Sequence, residues 1–333
     1  MSTNPKIDNI KIKSYADYLN EEITSIHRKD NEFLSVISLG LRPRVEKMIK
    51  TGKHNIQIKD TDGNNAIHFA TKKNDPELLK MLCELGVAPS SKGFNKATPF
   101  MVAAKYGCIE NLKYLKNEAC VDVHSKDKFG QNALFYAVRG ESLECIRYLI
   151  KDCKLNYKLC NLETGDTLLH TASRIGNLNL VKYLIKNLKL DPHLYNNDCK
   201  SPLRLAVEAN ALEVVKYLYE SEGANLFIPD DLGHSPISYS AFDPKLIEIF
   251  KYFSQVVQRR SLMQGDLMLT GSISNPPITP FQGAKLGQNY PALDIIFSKT
   301  VLKDRVQFIW TSQKSPLYQK LQKIFILQVS EYF

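Results

Sequence analysis

The sequence lacks the patterns that mark several functional classes. Its seven cysteines form no CxxC pair and have no nearby histidine pair at zinc-finger spacing, so no metal site is indicated. An odd number of cysteines without framework spacing predicts reduced thiols inside a cell. No dinucleotide-binding GxGxxG, Walker-type loop, HExxH or GxSxG string occurs. We therefore expect neither an enzyme nor a bound cofactor.

Long apolar runs are also missing. No stretch approaches the roughly 18 uninterrupted apolar residues of a membrane span, and the first 19 residues do not resemble a secretory signal. The sequence therefore predicts a soluble, monomeric, cytoplasmic protein, with a nuclear location left open. The formal net charge of +9 is spread along the chain without a long basic run. We accordingly expect an acidic protein partner rather than nucleic acid.

An internal repeat is the main signal that the sequence does carry. Alanines in apolar surroundings recur at steps of 33, 34, 35, 34 and 35 residues: Ala70, Ala103, Ala137, Ala172, Ala206 and Ala241. A second series, of cations, keeps the same steps: Lys80, Lys113, Arg147, Lys182, Lys216 and Lys251. Two series in one register over six units predict a repeat architecture.

Local signals predict a turn and two helices in each unit. In the first complete unit, residues 60–63 have turn composition, and a short helix is predicted over about 65–73. Asp75 and Pro76 then predict the N-cap and the first residue of a second helix. That helix is expected to end before Gly86, because glycine tolerates the left-handed backbone of a helix C-cap.

These units resemble the ankyrin repeat, whose hallmark is a Gly-x-Thr-Pro-Leu-His-x-Ala segment. The corresponding segments are Gly63–Ala70, Lys96–Ala103, Gly130–Ala137, Gly165–Ala172, Cys199–Ala206 and Gly233–Ala241, the last with one additional residue before its alanine. The resemblance covers residues 31–253. It implies an all-α solenoid of stacked antiparallel helix pairs with short β-turn tips: a degenerate capping repeat at 31–59, then six repeats at 60–253.

The resemblance also gives His68 and His170 a structural role. In ankyrin repeats a histidine at this position bridges the backbone of neighbouring turns, so we interpret both as structural rather than as metal ligands or acid–base groups. The series Tyr114, Tyr148, Tyr183 and Tyr217 precedes a buried leucine in each second helix. We interpret it as packing between repeats rather than as a stacking platform for bases.

A candidate partner surface follows from the same resemblance. Four cations lie two residues beyond the marker alanines: Lys72, Lys105, Arg139 and Arg174. In the ankyrin family this position faces the concave groove, where partners are usually held together with the turn tips. Ordinary solvated surface is the alternative for these cations. The predicted partner-binding residues are completed by Tyr106 beside Lys105, and by Phe94, Phe129 and Asp198 at the turn tips.

The flanking segments are assigned less specifically. Residues 1–30 are expected to form a helical lead-in. Residues 254–290, rich in glycine and proline, are predicted to be a linker in which Pro277 to Pro280 matches the PxxP pattern without a flanking basic residue. Two helices are predicted over 291–333.

The favoured function is that of an adaptor or scaffold that binds a protein partner on the concave repeat surface, without chemistry of its own. The alternative is a targeting or regulatory ankyrin region of a larger enzyme or channel.

Overall fold

The protein is described from a computed structural model, in which residues 32–52, 55–257 and 277–299 are described. The chain divides into two compact units, residues 1–162 and 163–333. Unit 1 contains eight helices in its described part: α1 (Glu32–Ser38), α2 (Arg42–Lys50), α3 (Ala66–Ala70), α4 (Pro76–Glu84), α5 (Pro99–Lys105), α6 (Ile109–Asn117), α7 (Ala133–Arg139) and α8 (Leu143–Lys151). Unit 2 likewise contains α9 (Leu168–Ile175), α10 (Leu178–Lys186), α11 (Pro202–Glu208), α12 (Leu212–Glu220), α13 (Pro236–Phe242), α14 (Ile247–Val256), α15 (Pro280–Leu286) and α16 (Tyr290–Lys299).

The sequence signals for helix ends are confirmed in the first complete unit. The carboxylate of Asp75 accepts a hydrogen bond from the backbone N–H of Leu78 at 3.1 Å, and Pro76 is the first residue of α4. Gly86 adopts a φ of 82° directly after this helix, in the left-handed region. The first helix, α3, is shorter than the predicted 65–73: it begins at Ala66 and ends at Ala70.

Within each unit, the first helices of successive repeats pack against one another, and so do the second helices. In unit 1, α1, α3, α5 and α7 contact one another in sequence order, and α4 packs against α6. In unit 2 the same holds for α9, α11, α13 and α15, and for α10, α12, α14 and α16. The marker alanines of three repeats and the leucines that follow three residues of the tyrosine series have no exposed surface: Ala103, Ala137, Ala172, Leu115, Leu149 and Leu184. The fold is thus an all-α ankyrin solenoid, and the prediction of fold class is confirmed.

The additional residue in the sixth repeat does not prevent its first helix, α13, from forming. Ser235 caps α13 by accepting from the backbone N–H of Ser238 at 3.3 Å. Counting from this cap, Ser240 occupies the place that the marker alanine holds in the other repeats. Its hydroxyl donates to the carbonyl of Ile237 at 2.8 Å, so the buried side chain is satisfied within the helix.

Residues 277–299 correct the predicted linker. Thr279 caps α15 and Pro280 is its buried first residue, so part of the predicted linker 254–290 is helical and the PxxP match is a helix start. Helix α14 also extends past residue 254. Asn289 then fixes the start of α16, because it accepts from the N–H of Ala292 at 3.2 Å and donates to the carbonyl of Ala241 at 2.9 Å. Helices α15 and α16 therefore form a seventh repeat packed on the sixth.

Other predictions fall partly outside the described residues. The lead-in at 1–30 and the segment 300–333, including the second helix predicted after residue 291, lie outside the described ranges. Within those ranges the chain forms isolated β-bridges rather than longer strands. No described helix has both the length and the apolar character needed to cross a bilayer.

Candidate functional site

The predicted cations occupy the carboxyl ends of the first helices. Lys105 and Arg139 are the last residues of α5 and α7, Arg174 is the next-to-last residue of α9, and Lys72 follows α3 by two residues. In the fifth repeat the equivalent residue is Glu208, the last residue of α11. We call these five positions the helix-end row and describe each unit's part separately.

In unit 1 the row is basic and rests on aromatic rings. The ammonium group of Lys72 lies 5.0 Å from the ring centre of Phe69 and 5.7 Å from that of Tyr106. Lys105 lies 5.7 Å from the ring of Tyr106, which is 39% exposed. The guanidinium of Arg139 lies 5.2 Å from the ring of Tyr136. These distances are within the range of cation–π attraction, so the cations are held near the rings while remaining accessible.

At three row positions the side chain binds the residue eight positions earlier in the sequence, and the charge of that residue determines whether the position keeps a net charge. Arg139 donates to the neutral side chain of Gln131. Arg174 instead pairs with the carboxylate of Asp166 at 2.8 Å. Glu208 pairs with Lys200 at 3.1 Å. The residue eight before Lys105 is Ala97, which cannot neutralise it.

The two parts of the row therefore differ in net charge. Within the part of the chain that is described, neither Lys105 nor Arg139 forms an ion pair with a carboxylate. Arg174 and Glu208 both do. An acidic ligand would meet uncompensated positive charge at Lys105 and Arg139, whereas at Arg174 it would have to compete with Asp166.

Each of the predicted turn-tip residues is hydrogen-bonded to a neighbouring tip, and the three differ in exposure. Phe94 is 57% exposed, and its backbone N–H donates to Asn64 of the preceding tip at 3.1 Å. Phe129 is half-buried, and its carbonyl accepts from the N–H of Leu162 at 2.9 Å. Asp198, in unit 2, is exposed and its carbonyl accepts from Asp231 at 3.1 Å. Neighbouring tips within each unit are thus joined by hydrogen bonds, through the Asn64 side chain at the first contact and between backbones at the other two.

A buried ion pair in unit 2 was not predicted from the sequence. Arg204 occupies the place that histidine holds in the repeat motif, and its side chain is 3% exposed. Its guanidinium lies 3.0 Å from Asp230, whose side chain is fully buried, and 3.5 Å from the ring centre of Tyr239. Asp230 also accepts from the backbone N–H groups of Leu232 and His234 at 3.1 and 2.8 Å. The pair links the fifth and sixth repeats internally, so its role is structural.

The two motif histidines are likewise structural, as the resemblance implied. The ring of His68 contacts the N–H of Asn65 at 3.1 Å and the carbonyl of Ala97, in the next turn, at 3.1 Å. Burial lowers the pKa of His68 to about 4. His170 makes the equivalent contacts with Thr167 and with the carbonyl of Lys200. The described residues contain no cluster of histidine, cysteine and carboxylate side chains suited to a metal ion.

Comparison with known proteins gives the same architecture. Three segments match the ankyrin-repeat family, at residues 34–127, 117–193 and 156–230. The human transient receptor potential cation channel subfamily A member 1 is 27% identical over 168 residues, which cover 47% of this chain and 14% of the channel. The glycerophosphocholine phosphodiesterase gde1 of Schizosaccharomyces pombe is 34% identical over 121 residues, covering 36% of this chain and 10% of that enzyme.

One further relative and one solved structure are similar to this chain. The tyrosine-protein kinase Shark of Drosophila melanogaster is 34% identical over 113 residues, 34% of this chain and 12% of the kinase. Among solved structures, the ankyrin repeat domain of Bcl-3 matches with a TM-score of 0.46 and 19% identity, covering 63% of this chain and 94% of that one. The matched segments thus span only about a tenth to a seventh of the three larger relatives. Because the family match extends over more than half of the sequence, the chain belongs to the ankyrin-repeat family.

Proposed function

We propose that this chain is a protein-binding adaptor or scaffold whose unit 1 helix-end row, Lys72, Lys105 and Arg139, receives an acidic segment of a partner protein. The observation that supports this most is the contrast in charge compensation: Arg174 and Glu208 are neutralised by ion pairs, whereas Lys105 and Arg139 form none with the carboxylates of the described residues. Ankyrin repeats generally mediate protein–protein interaction, so a protein ligand is the first class to test.

The scaffold favours binding over chemistry. The row side chains project from helix ends that are already packed, so association costs little ordering of the backbone. The aromatic rings near the three cations restrict them further, and Tyr106, which is 39% exposed, offers flat apolar surface to a bound segment. We infer a chain without catalytic activity, which acts as a monomer in the cytoplasm.

The experiment is quantitative affinity purification with the full chain as bait, followed by kinetics on the partner identified. The test variant is Lys105→Glu with Arg139→Glu. The control is Lys80→Glu with Lys151→Glu, which changes net charge equally at exposed positions of the second helices α4 and α8. The proposal predicts that the test variant loses the partner and the control keeps it.

The association rate provides a second criterion. Reversing charges that steer an acidic ligand should slow association most at low salt and matter less at high salt. If the test variant binds as fast and as tightly as the parent at low salt, the row is ordinary solvated surface. The melting temperature of both variants should match the parent, since the positions are exposed.

A second function is favoured by the kinds of relative found. A cation channel, a phosphodiesterase and a kinase each match over a small fraction of their length. The same repeats would then serve as a targeting or regulatory region associated with an enzyme or channel. Recovery of one channel or enzyme as the partner that depends on Lys105 and Arg139 would support this second function.

A further inference from the structure

Three adjoining turn tips of unit 1 expose large apolar side chains. Leu162 is 74% exposed and Phe94 is 57% exposed, while Phe129 between them is half-buried. We call the tips at residues 92–96, 126–129 and 158–162 the basic tip edge. Exposed apolar side chains of this size on successive repeats indicate a contact with another phase or molecule.

A lysine lies within four residues of each of these apolar side chains, although exposed Glu163 directly follows Leu162. Five are exposed on the basic tip edge, and none forms an ion pair with a described carboxylate: Lys92, Lys96, Lys126, Lys128 and Lys158. The edge also contains Asp127, but this residue is 7% exposed. Its carboxylate accepts from the N–H groups of Phe129 and Gln131 at 2.9 Å and from the hydroxyl of Tyr136 at 3.0 Å. The accessible charge of the edge is therefore positive.

The backbone holds the tips side by side. The N–H of Lys128 donates to the carbonyl of Asn95 at 2.7 Å, and the N–H of Leu162 donates to the carbonyl of Phe129 at 2.9 Å. Asn95 and Lys96 have positive φ values of 53° and 62°, a tight turn conformation that projects Phe94 from the repeat. The apolar side chains and lysines are thus presented together along one edge rather than scattered.

The tips of unit 2 have a different composition. The turn at residues 196–200 carries exposed Asp198, and its lysine, Lys200, pairs with Glu208. The turn at 230–234 carries Asp231 and an exposed Leu232 without a neighbouring lysine. Exposed lysines near apolar side chains are therefore a feature of the three tips of the basic tip edge and not of the repeat itself, since the first turn of unit 1, at residues 60–63, carries exposed Asp62 instead.

We propose that the basic tip edge docks unit 1 on the surface of a bilayer that contains anionic lipids. Lysines near such a surface are each attracted by about 1 kcal/mol, or about fivefold in partitioning. Phe94, Phe129 and Leu162 insert among the headgroups, where apolar side chains lose contact with water. Lysine stems lie along the same boundary with their ammonium groups at the phosphates.

A bilayer fits these observations better than a protein groove. The apolar side chains stand on separate protruding turns, and a fluid boundary accommodates each of them without a complementary shape. Apart from Glu163, which follows Leu162, the exposed charges near these side chains are those of lysines, which match a negatively charged surface. The proposal concerns a different surface from the helix-end row and does not depend on the partner proposed for that row.

The test is co-sedimentation of the full chain with vesicles. Neutral phosphatidylcholine vesicles are compared with vesicles that contain phosphatidylserine at about 30%. Two variants probe the edge: Phe94→Ser with Leu162→Ser, and Lys96→Gln with Lys128→Gln. The matched control is Leu232→Ser, because Leu232 is 59% exposed on a unit 2 tip without flanking lysines. Thermal unfolding of every variant establishes that the repeats remain folded.

The proposal expects binding to anionic but not to neutral vesicles, weakened about 25-fold by the lysine variant and at least about tenfold by the apolar variant. The control should bind as the parent does. Absence of binding to anionic vesicles would overturn the proposal. So would binding that is unchanged in both edge variants. A chain that binds soluble polyglutamate through these lysines but ignores vesicles would assign the edge to an acidic protein instead.

Discussion

Replacement of Arg204 by methionine tests whether the buried ion pair holds the fifth and sixth repeats together. Methionine keeps much of the length and volume of the arginine stem but removes the guanidinium. Asp230 would then remain fully buried without its cation, although two backbone N–H groups would still donate to it. The contact of the guanidinium with the ring of Tyr239 would also be lost.

The expected cost is large because the partner charge stays behind. Breaking a buried pair from one side costs about 3 to 5 kcal/mol, since an uncompensated charge is left in a poorly solvated place. Substituting Asp230→Asn in the same chain removes that charge and keeps an oxygen for the backbone donors. We expect the double variant Arg204→Met with Asp230→Asn to recover at least about half of the loss, because little buried charge then lacks a partner.

Urea unfolding followed by helical circular dichroism measures these free energies. The matched control is Arg44→Met, because the Arg44 and Glu32 side chains that form its ion pair are 58% and 61% exposed. That control should lose less than about 1 kcal/mol. The reasoning fails if Arg204→Met is as mild as Arg44→Met, or if the double variant is less stable than Arg204→Met alone.

Four further predictions concern the core, the pH dependence, the last repeat and metal removal. Leu149→Ala should lower the free energy of unfolding by about 2 to 5 kcal/mol in urea titrations, because it leaves a cavity in a fully buried site; a loss below about 1 kcal/mol would contradict this packing. The folded pKa of His68, about 4, lies below the unfolded value of 6.5, so its contribution to stability is present above pH 6.5 and lost as pH falls toward 4; in His68→Gln, unfolding titrations should show a weaker pH dependence across that window. Gly287→Ala should detach the seventh repeat, since the added carbon would lie 1.8 Å from the carbonyl oxygen of Phe242, and hydrogen exchange should then rise in residues 277–299 but not in unit 1. Dialysis against a chelator should leave the melting temperature of the parent unchanged, and a clear drop would indicate a metal site.

Much of the repeat fold could be predicted because its signals are local. Asp75 with Pro76 starts a helix by capping chemistry alone, and Gly86 ends it by its freedom at positive φ. The marker alanines are predictable for a different reason: each lies where two first helices approach, so a larger side chain would not fit. The fold class follows from these features without knowledge of long-range contacts.

The seventh repeat was missed because the period failed there. The step from Ser240, which holds the marker place in the sixth repeat, to Ala284 is 44 residues rather than about 34, since additional chain separates α14 from α15. The local motif was nevertheless present: Thr279 and Pro280 start the helix and Ala284 follows the cap by five residues, as Ala103 follows Thr98. The glycine and proline content of residues 254–290 favours a linker instead, although Thr279 followed by Pro280 is the capping pattern of a helix start.

The charge of the candidate site could not be judged from the row alone. Arg139 and Arg174 look equivalent in sequence, yet one donates to a neutral amide and the other to a carboxylate. The distinguishing residues lie eight positions earlier, at the end of the preceding turn, and the turn geometry brings them to the helix end. Each pair joins a residue of the turn to the end of the following helix, so it lies outside a single regular element and periodicity does not reveal it.

This pairing explains how one scaffold carries different surfaces. The helix contacts that stabilise each repeat involve alanines and leucines with no exposed surface, whereas the row residues and their partners lie at the rim of the same helices. A change from Gln131 to the acid found at Asp166 would neutralise a row cation without altering a helix contact. Binding specificity can therefore vary from repeat to repeat while nearest-neighbour packing stays constant. Arg204 is an exception to this separation of binding from packing. Its cation lies in the contact between repeats, so a change of its charge also alters stability.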